Sequence, residues 1–296
     1  MRAALQTGAN FWNGGEFYGT PERNSLTLLQ EYFSKYPEDA EKIVLSIKGG
    51  MLPNEHKFDG REENVRRSVD TSNRLLKGTK TVDIFECARV DPGTPIEDTI
   101  KVLAEMVKEG KIKGIGLSEV SAQSIRRAHK VHPITAVEVE LSLWATDILR
   151  NGIASTCAEL NIPVVAYSPL MRGALTGQVK RNADIPEGDF RKNLPKFQDD
   201  VLIGNMKLTE EVEKLADRKG VTKAQVAIGW VRTLSGRNGL PVIIPIPGAT
   251  TEERVLENGR DTILTDGEMK EIDAILQENK IVGDRYDGPL NALSDA

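Results

Sequence analysis

A (β/α)8 barrel is the fold class this sequence predicts, and three observations carry the prediction. Short apolar, β-branched runs alternate with amphipathic stretches along all 296 residues, and runs such as Ile43-Val44-Leu45-Ser46-Ile47 lack strict alternation, as parallel strands covered on both faces do. No Gly/Ser-rich linker, low-complexity tract or fixed-period repeat divides the chain, so residues 1–296 are expected to form one domain. The competing α/β architecture, an open doubly wound sheet, would announce itself with G-x-G-x-x-G after a strand, and neither that motif nor a P-loop occurs.

The predicted strands cover residues 9–12, 43–48, 82–88, 112–117, 136–141, 164–167 and 242–246. Parallel strands need helical crossovers, and several carry start signals. Thr94-Pro95-Ile96-Glu97 sets a Thr N-cap, a Pro at the first helical position and a Glu three beyond the cap, for a helix to about residue 109 stopped by Gly110. Thr222-Lys223-Ala224-Gln225 and Thr265-Asp266-Gly267-Glu268 repeat this capping box before apolar-periodic segments, and Thr250 with Glu253 sets one for a short helix after the last strand. Seven strands are one short of a closed barrel, and the first is the one expected to be missing.

Composition narrows the function. With 39% hydrophobic and 28% charged residues the chain can bury a core. Its 39 basic and 44 acidic residues give a net charge of −5, against a cationic face for nucleic acid or an anionic membrane. The same balance carries no information on oligomeric state. No apolar run reaches membrane-spanning length, and the N-terminus has no signal-peptide core. Cys87, Cys157 and the histidines His56, His129 and His132 show no ligand spacing, so no metal and no disulfide framework is expected. A reducing compartment fits, cytoplasmic and open to the nucleus.

In a barrel, functional groups collect where strands end and βα loops begin. In chain order these positions hold Asn13 and Tyr18, Lys48, Ala88 and Arg89, Ser118 and Glu119, Glu138, Tyr167 and Ser168, and residues 245–248. Lys48 ends an otherwise apolar strand, so its ammonium either snorkels to water or meets a partner. Tyr18 is a plausible one, because a nearby cation favours phenolate.

Gly8 through Gly19, the strand ending in Lys48, Gly116-Leu117-Ser118-Glu119, Ala166 through Gly177, and Ile246-Pro247-Gly248 through Asn258 resemble, in order, the signatures of the aldo-keto reductases. Asn13-Gly14-Gly15-Glu16-Phe17-Tyr18 and Glu86-Cys87-Ala88-Arg89-Val90-Asp91 look like the fungal pyridoxal reductase branch. The resemblance implies an aldo-keto reductase barrel that binds NADPH across its C-terminal face and delivers hydride to an aldehyde, pyridoxal giving pyridoxine, with Tyr18 as proton donor and Lys48 and Asn13 beside it. It implies cofactor contacts at Ser118, Glu138, Tyr167, Ser168, Leu170, Arg172, Gly248, Arg254, Glu257 and Asn258, and a substrate pocket at Trp12, Glu86, Ala88 and Arg89. Tyr167 would stack on the nicotinamide or serve simply as a strand-end core residue. Arg254 would take the 2′-phosphate or pair with Glu257 at i+3. By the same resemblance Met1 matches an internal position of the first helix, so the first strand and an N-terminal hairpin are expected to be absent, leaving unpaired strand edges.

The chain departs from the family pattern at three positions. The aspartate expected five residues before the tyrosine is Asn13, the histidine of the active-site tetrad is Ala88, and the usual glutamine is Glu138. An amide cannot neutralise Lys48, so the Tyr18 pKa is expected to fall further unless Glu86 supplies a carboxylate. Ala88 removes a donor to the substrate carbonyl and leaves room for a rigid aromatic aldehyde. His56 is expected to be a solvated loop residue rather than a replacement imidazole. A general reductase of other aldehydes, and a cofactor-binding sensor with little catalysis, are the alternative readings.

Overall fold

The alternation of apolar and small residues sets two faces on each strand, and the computed structural model of the protein resolves what those faces pack against. It describes residues 1–53, 55 and 57–287. Strands β1 (Phe11–Gly15), β2 (Val44–Gly49), β3 (Val82–Cys87), β4 (Ile112–Ser118), β5 (Ile134–Glu140), β6 (Val164–Tyr167) and β7 (Ile243–Ile246) form one all-parallel sheet in sequence order. All seven lie where the sequence predicts them; β1 starts two residues late, which puts Asn13 inside the strand rather than beyond it.

Helices α1 (Arg2–Gln6), α2 (Ser25–Lys35), α3 (Glu62–Leu76), α4 (Ile96–Lys108), α5 (Ala122–Val131), α6 (Ile153–Glu159), α7 (Asp199–Lys219), α8 (Lys223–Leu234), α9 (Glu252–Gly259) and α10 (Asp266–Glu278) complete the described elements together with short 3-10 turns. Outward-facing Leu45, Ile47, Phe85, Ile115, Val137 and Val164 join the apolar helix faces in one large core. The inward residues Ile84, Ala136 and Val165, with Phe11 and Ile246, make a second, small cluster inside the sheet. Sheet curvature brings β1 and β7 side by side without a hydrogen-bond ladder, so the described strands make a barrel closed except at that seam. A cavity lined by Phe11, Trp12, Ile228 and Ile246 lies along it. No helix among the described residues is long and apolar enough to cross a membrane.

The capping boxes at Thr222 and Thr265 form as predicted. The one at Thr94 does not. Its hydroxyl donates to Asp91 at 2.7 Å, Pro95 precedes the helix without a side-chain cap, and Glu97 turns away to accept two bonds from Arg127 at 2.7 and 2.6 Å. A bidentate carboxylate–guanidinium pair outcompetes one neutral capping bond. At α9 the cap is Thr251 rather than Thr250, its side chain accepting from the Arg254 amide.

Candidate active site

Parallel register places Lys48 beside Gly15 on one neighbour and beside Glu86 on the other, and Glu86 beside Gly116. Period-2 geometry turns Asn13, Lys48, Glu86 and Glu138 to the inside of the barrel, one layer below its C-terminal mouth. There the Lys48 ammonium contacts Glu138 Oε1 at 2.5 Å, Asn13 Oδ1 at 2.9 Å and Glu86 Oε1 at 3.3 Å. Asn13 closes the ring, its amide Nδ2 donating to Glu138 Oε2 at 2.7 Å. Space for two acids comes from Gly116, where a Cβ would stand 3.0 Å from Ile84 and 3.1 Å from Glu86.

These groups are almost fully buried, with Lys48 at 4%, Glu86 at 1% and Glu138 at 2% exposure. Burial alone would pull the lysine pKa down, but Glu86 and Glu138 outweigh it and hold Lys48 above its ordinary value. Burial, reinforced by Glu86, pushes the Glu138 carboxyl up to about 8 against the pull of Lys48.

Tyr18 sits over this layer on the loop after β1. Glu16 pins that loop to α3, accepting 2.5 Å bonds from Arg67 and Ser68, and Gly15 has no side chain where the Tyr18 ring crosses. The Lys48 ammonium is 5.9 Å from the centre of the Tyr18 ring. The phenol pKa is raised, because desolvation of the hydroxyl, Glu138 and Glu86 together exceed the lowering by Lys48 and Arg89, although 43% of the residue's surface stays exposed. The expected fall in the Tyr18 pKa does not occur, because the exception attached to it holds and Glu86 supplies a carboxylate to Lys48. Glu138 adds a second carboxylate that the sequence reading did not expect.

A second charged layer lines the mouth. Arg285, beyond the last helix, donates to Glu140 at 2.8 Å, to Glu119 at 2.6 Å and to the Tyr167 hydroxyl at 2.8 Å. The next residue, Tyr286, shares a 3.0 Å bond with the Tyr167 hydroxyl and accepts one of the same length from Arg172. Arg89, Arg172 and Arg285 all approach the Tyr286 ring, at 5.6, 5.1 and 5.8 Å from its centre. The loop after β6 bends sharply: Ser168, Met171 and Arg172 adopt φ of 52°, 45° and 50°. Left-handed backbone at such residues costs on the order of 1–3 kcal/mol each and persists where surrounding contacts impose it.

One cavity of 1120 Å³ joins the two layers. Of the predicted site residues, Asn13, Tyr18, Lys48, Ala88, Arg89, Ser118, Glu138, Tyr167, Ser168, Leu170, Arg172, Gly248, Arg254, Glu257 and Asn258 line it. Two do not. Trp12 alternates outward from Asn13, meets Tyr32 edge to face, stacks on Phe33, and faces the seam cavity instead. Glu86 lies beneath Lys48, away from the pocket wall. Both oxygens of Glu138 are taken by Lys48 and Asn13, so it is poorly placed for a cofactor amide. Arg254 reaches Gln178 at 3.4 Å rather than Glu257. His56 lies outside the described residues.

Sequence reasoning missed Phe17, Phe58, Phe190, Lys223 and Tyr286 in the lining, and Arg285 with its acids behind it. A signal for Glu140 was present, since Val137-Glu138-Val139-Glu140 alternates strictly and puts both acids on the inner face. None marked Arg285 and Tyr286, which reach the mouth through tertiary contacts alone. Three cavity-lining residues carry a buried donor with no hydrogen-bond partner among the described residues: Arg89 at Nε, Ser118 at its hydroxyl and Arg172 at Nη1. With Arg254 at the far end, they make a long cavity suited to an extended ligand carrying amide and anionic groups.

The sequence model described as "Aldo/keto reductase family" matches residues 1–277. A Schizosaccharomyces pombe protein named probable pyridoxal reductase 2 is 41% identical over 299 residues, covering 99% of this chain and 89% of that protein. A Saccharomyces cerevisiae protein named putative pyridoxal reductase is 43% identical over 297 residues, covering 94% and 84%. Among solved structures, a glycerol dehydrogenase from Gluconobacter oxydans superposes with a TM-score of 0.80 at 26% identity, covering 97% of this chain and 87% of that one. A thermostable aldo-keto reductase in complex with the inhibitor epalrestat shares the fold, with a TM-score of 0.70 at 22% identity over 93% and 85% of the two chains.

Proposed function

The chain belongs to the aldo/keto reductase family of oxidoreductases, and from that premise we propose that it reduces pyridoxal to pyridoxine with NADPH, Tyr18 giving the proton. The observation that carries this reading is the single cavity that has Tyr18 and Lys48 at one end, Arg254 at the other, and partnerless buried donors on Arg89, Ser118 and Arg172 between. NADPH, when bound, supplies the hydride. Tyr167 would face the nicotinamide, Ser118 would bond its carboxamide in place of the occupied Glu138, and Ser168, Leu170 and Arg172 would hold the pyrophosphate. Gly248, Arg254, Glu257 and Asn258 would take the adenosine end with its 2′-phosphate.

The raised pKa keeps the Tyr18 phenol protonated through the neutral range, as a proton donor must be. As the proton leaves, the Lys48 charge stabilises the phenolate. Phe17 and Phe58, 6.5 Å apart and nearly perpendicular, present an aromatic wall to a flat pyridine ring. The ring hydroxyl of pyridoxal can bond its own aldehyde oxygen, which suits a pocket that has Ala88 where the family pattern has histidine. The free thiols Cys87 and Cys157 accord with a reducing, cytoplasmic setting.

Purified protein should oxidise NADPH when given pyridoxal, and Tyr18→Phe should lower turnover by about 10²–10⁴-fold while NADPH fluorescence titration still shows binding. Ala88→His should impair pyridoxal more than a small aliphatic aldehyde. Tight NADPH binding without turnover of any aldehyde would overturn the reading in favour of a sensor.

A further inference from the structure

In the buried layer under Tyr18, the Asn13 side-chain amide bridges cation and acid: its oxygen accepts from Lys48 at 2.9 Å and its nitrogen donates to Glu138 at 2.7 Å. Glu138 completes the triangle with its other oxygen 2.5 Å from Lys48. Each side chain of the pair therefore presents one atom to the lysine and one to the other. An acid and an amide can occupy these two positions in either order and keep the same three contacts, the bond between them simply reversing its direction. What matters to Lys48 is the total charge across the pair.

We infer that Glu138 is a positioning residue that sets, through Lys48, the ionisation of Tyr18, and that Asn13 and Glu138 form an exchangeable amide–acid pair whose single carboxylate works from either strand. This rests on reading Tyr18 as the proton donor. The other charged groups facing the lysine and phenol are Glu86 from β3 and Arg89 from the loop after it, and both stay constant in the exchange. The phenol titrates above the range in which Glu138 loses its proton, so Glu138 is ionised when the phenol responds. Removing its carboxylate then exposes Tyr18 more fully to the Lys48 charge, and adding one at position 13 shields it.

The test is a cycle of four full-length proteins: the parent, Asn13→Asp, Glu138→Gln, and both together. All changes are nearly isosteric. The Tyr18 pKa is read without cofactor or aldehyde from the ultraviolet absorbance of phenolate, each protein being compared with its own Tyr18→Phe version. Glu138→Gln should lower that pKa by about one pH unit, Asn13→Asp should raise it by about as much, and the double variant should return to the parent value. Turnover measured above pH 8, where Glu138 is ionised, should fall by about 10–100-fold in each single variant and recover in the double one, with the pH limb governed by Tyr18 moving alongside. Equal pKa values in all four proteins, or a double variant impaired by the product of the single losses, would overturn the inference. If Glu138→Gln does not fold, Asn13→Asp and the double variant still decide it, because the second must reverse the rise produced by the first. The titration needs no substrate: shifts as expected in proteins that do not reduce pyridoxal would sink the substrate reading and leave this inference standing.

Discussion

The barrel contains the same charge arrangement twice, one layer apart. In the floor, Lys48 faces Glu86 and Glu138; at the mouth, Arg285 faces Glu119 and Glu140. All four acids are almost completely buried. They differ in where the cation comes from: Lys48 is fixed on β2, between two strands that hold it in register, whereas Arg285 arrives on the segment after α10. A buried carboxylate pair facing one cation is stable only while the cation stays. The floor is therefore committed to one arrangement by the strands themselves, while the mouth depends on a piece of chain that packs across it.

Replacing each cation by methionine should separate the two regions most strongly. Lys48→Met leaves two almost fully buried acids facing each other with no cation, and should cost about 3–5 kcal/mol of stability in urea unfolding, with turnover down by about 10²–10⁴-fold. Arg285→Met should cost about 1–3 kcal/mol, since Arg172 remains 3.8 Å from Glu140 and the mouth can admit solvent. In steady-state kinetics its effect should fall on the KM for NADPH more than on kcat, because it frees Tyr167 and Tyr286 rather than Tyr18. Equal stability losses in the two variants would break the contrast between a strand-fixed and a segment-supplied cation.

The smallest expected effect is a pH dependence confined to the floor. The Glu138 carboxyl binds its proton more tightly in the folded chain than in the unfolded one, so its contribution is full below pH 4.5 and is lost as pH rises towards about 8. Over that window the unfolded chain has released a proton that the folded chain retains, and the slope is at most about 1.4 kcal/mol per pH unit. Glu138→Gln should remove this fall from a series of urea midpoints. The same slope in parent and variant would place its origin elsewhere.

The floor was largely legible in the sequence, whereas of the mouth Arg89, Glu119, Tyr167 and Arg172 were legible and Glu140, Arg285 and Tyr286 were not. Lys48 ends an apolar run, Tyr18 follows at a fixed spacing from Asn13, and strand periodicity decides which neighbours point inward, so local pattern determines who meets whom. That same periodicity turns Trp12 outward next to Asn13, which excludes it from the pocket, and puts Glu140 on the face of Glu138. Arg285 and Tyr286 follow no periodic element, and their place depends on the packing of the segment after α10 against the barrel mouth. Thr94 shows a third kind of miss: a sound local capping signal lost to a stronger pair between Glu97 and Arg127 on another helix.

Gly116 has a consequence for how this site tolerates change. Its missing side chain gives Glu86 the room it occupies, so the two positions are not independent in any mutational path. Substituting alanine at Gly116 in this protein would press on Ile84 and Glu86, whereas after Glu86 has become a smaller, neutral residue the same alanine meets less resistance. The order of the two substitutions decides how strained the intermediate protein is, which makes the glycine a permissive position for the acid layer rather than a member of it.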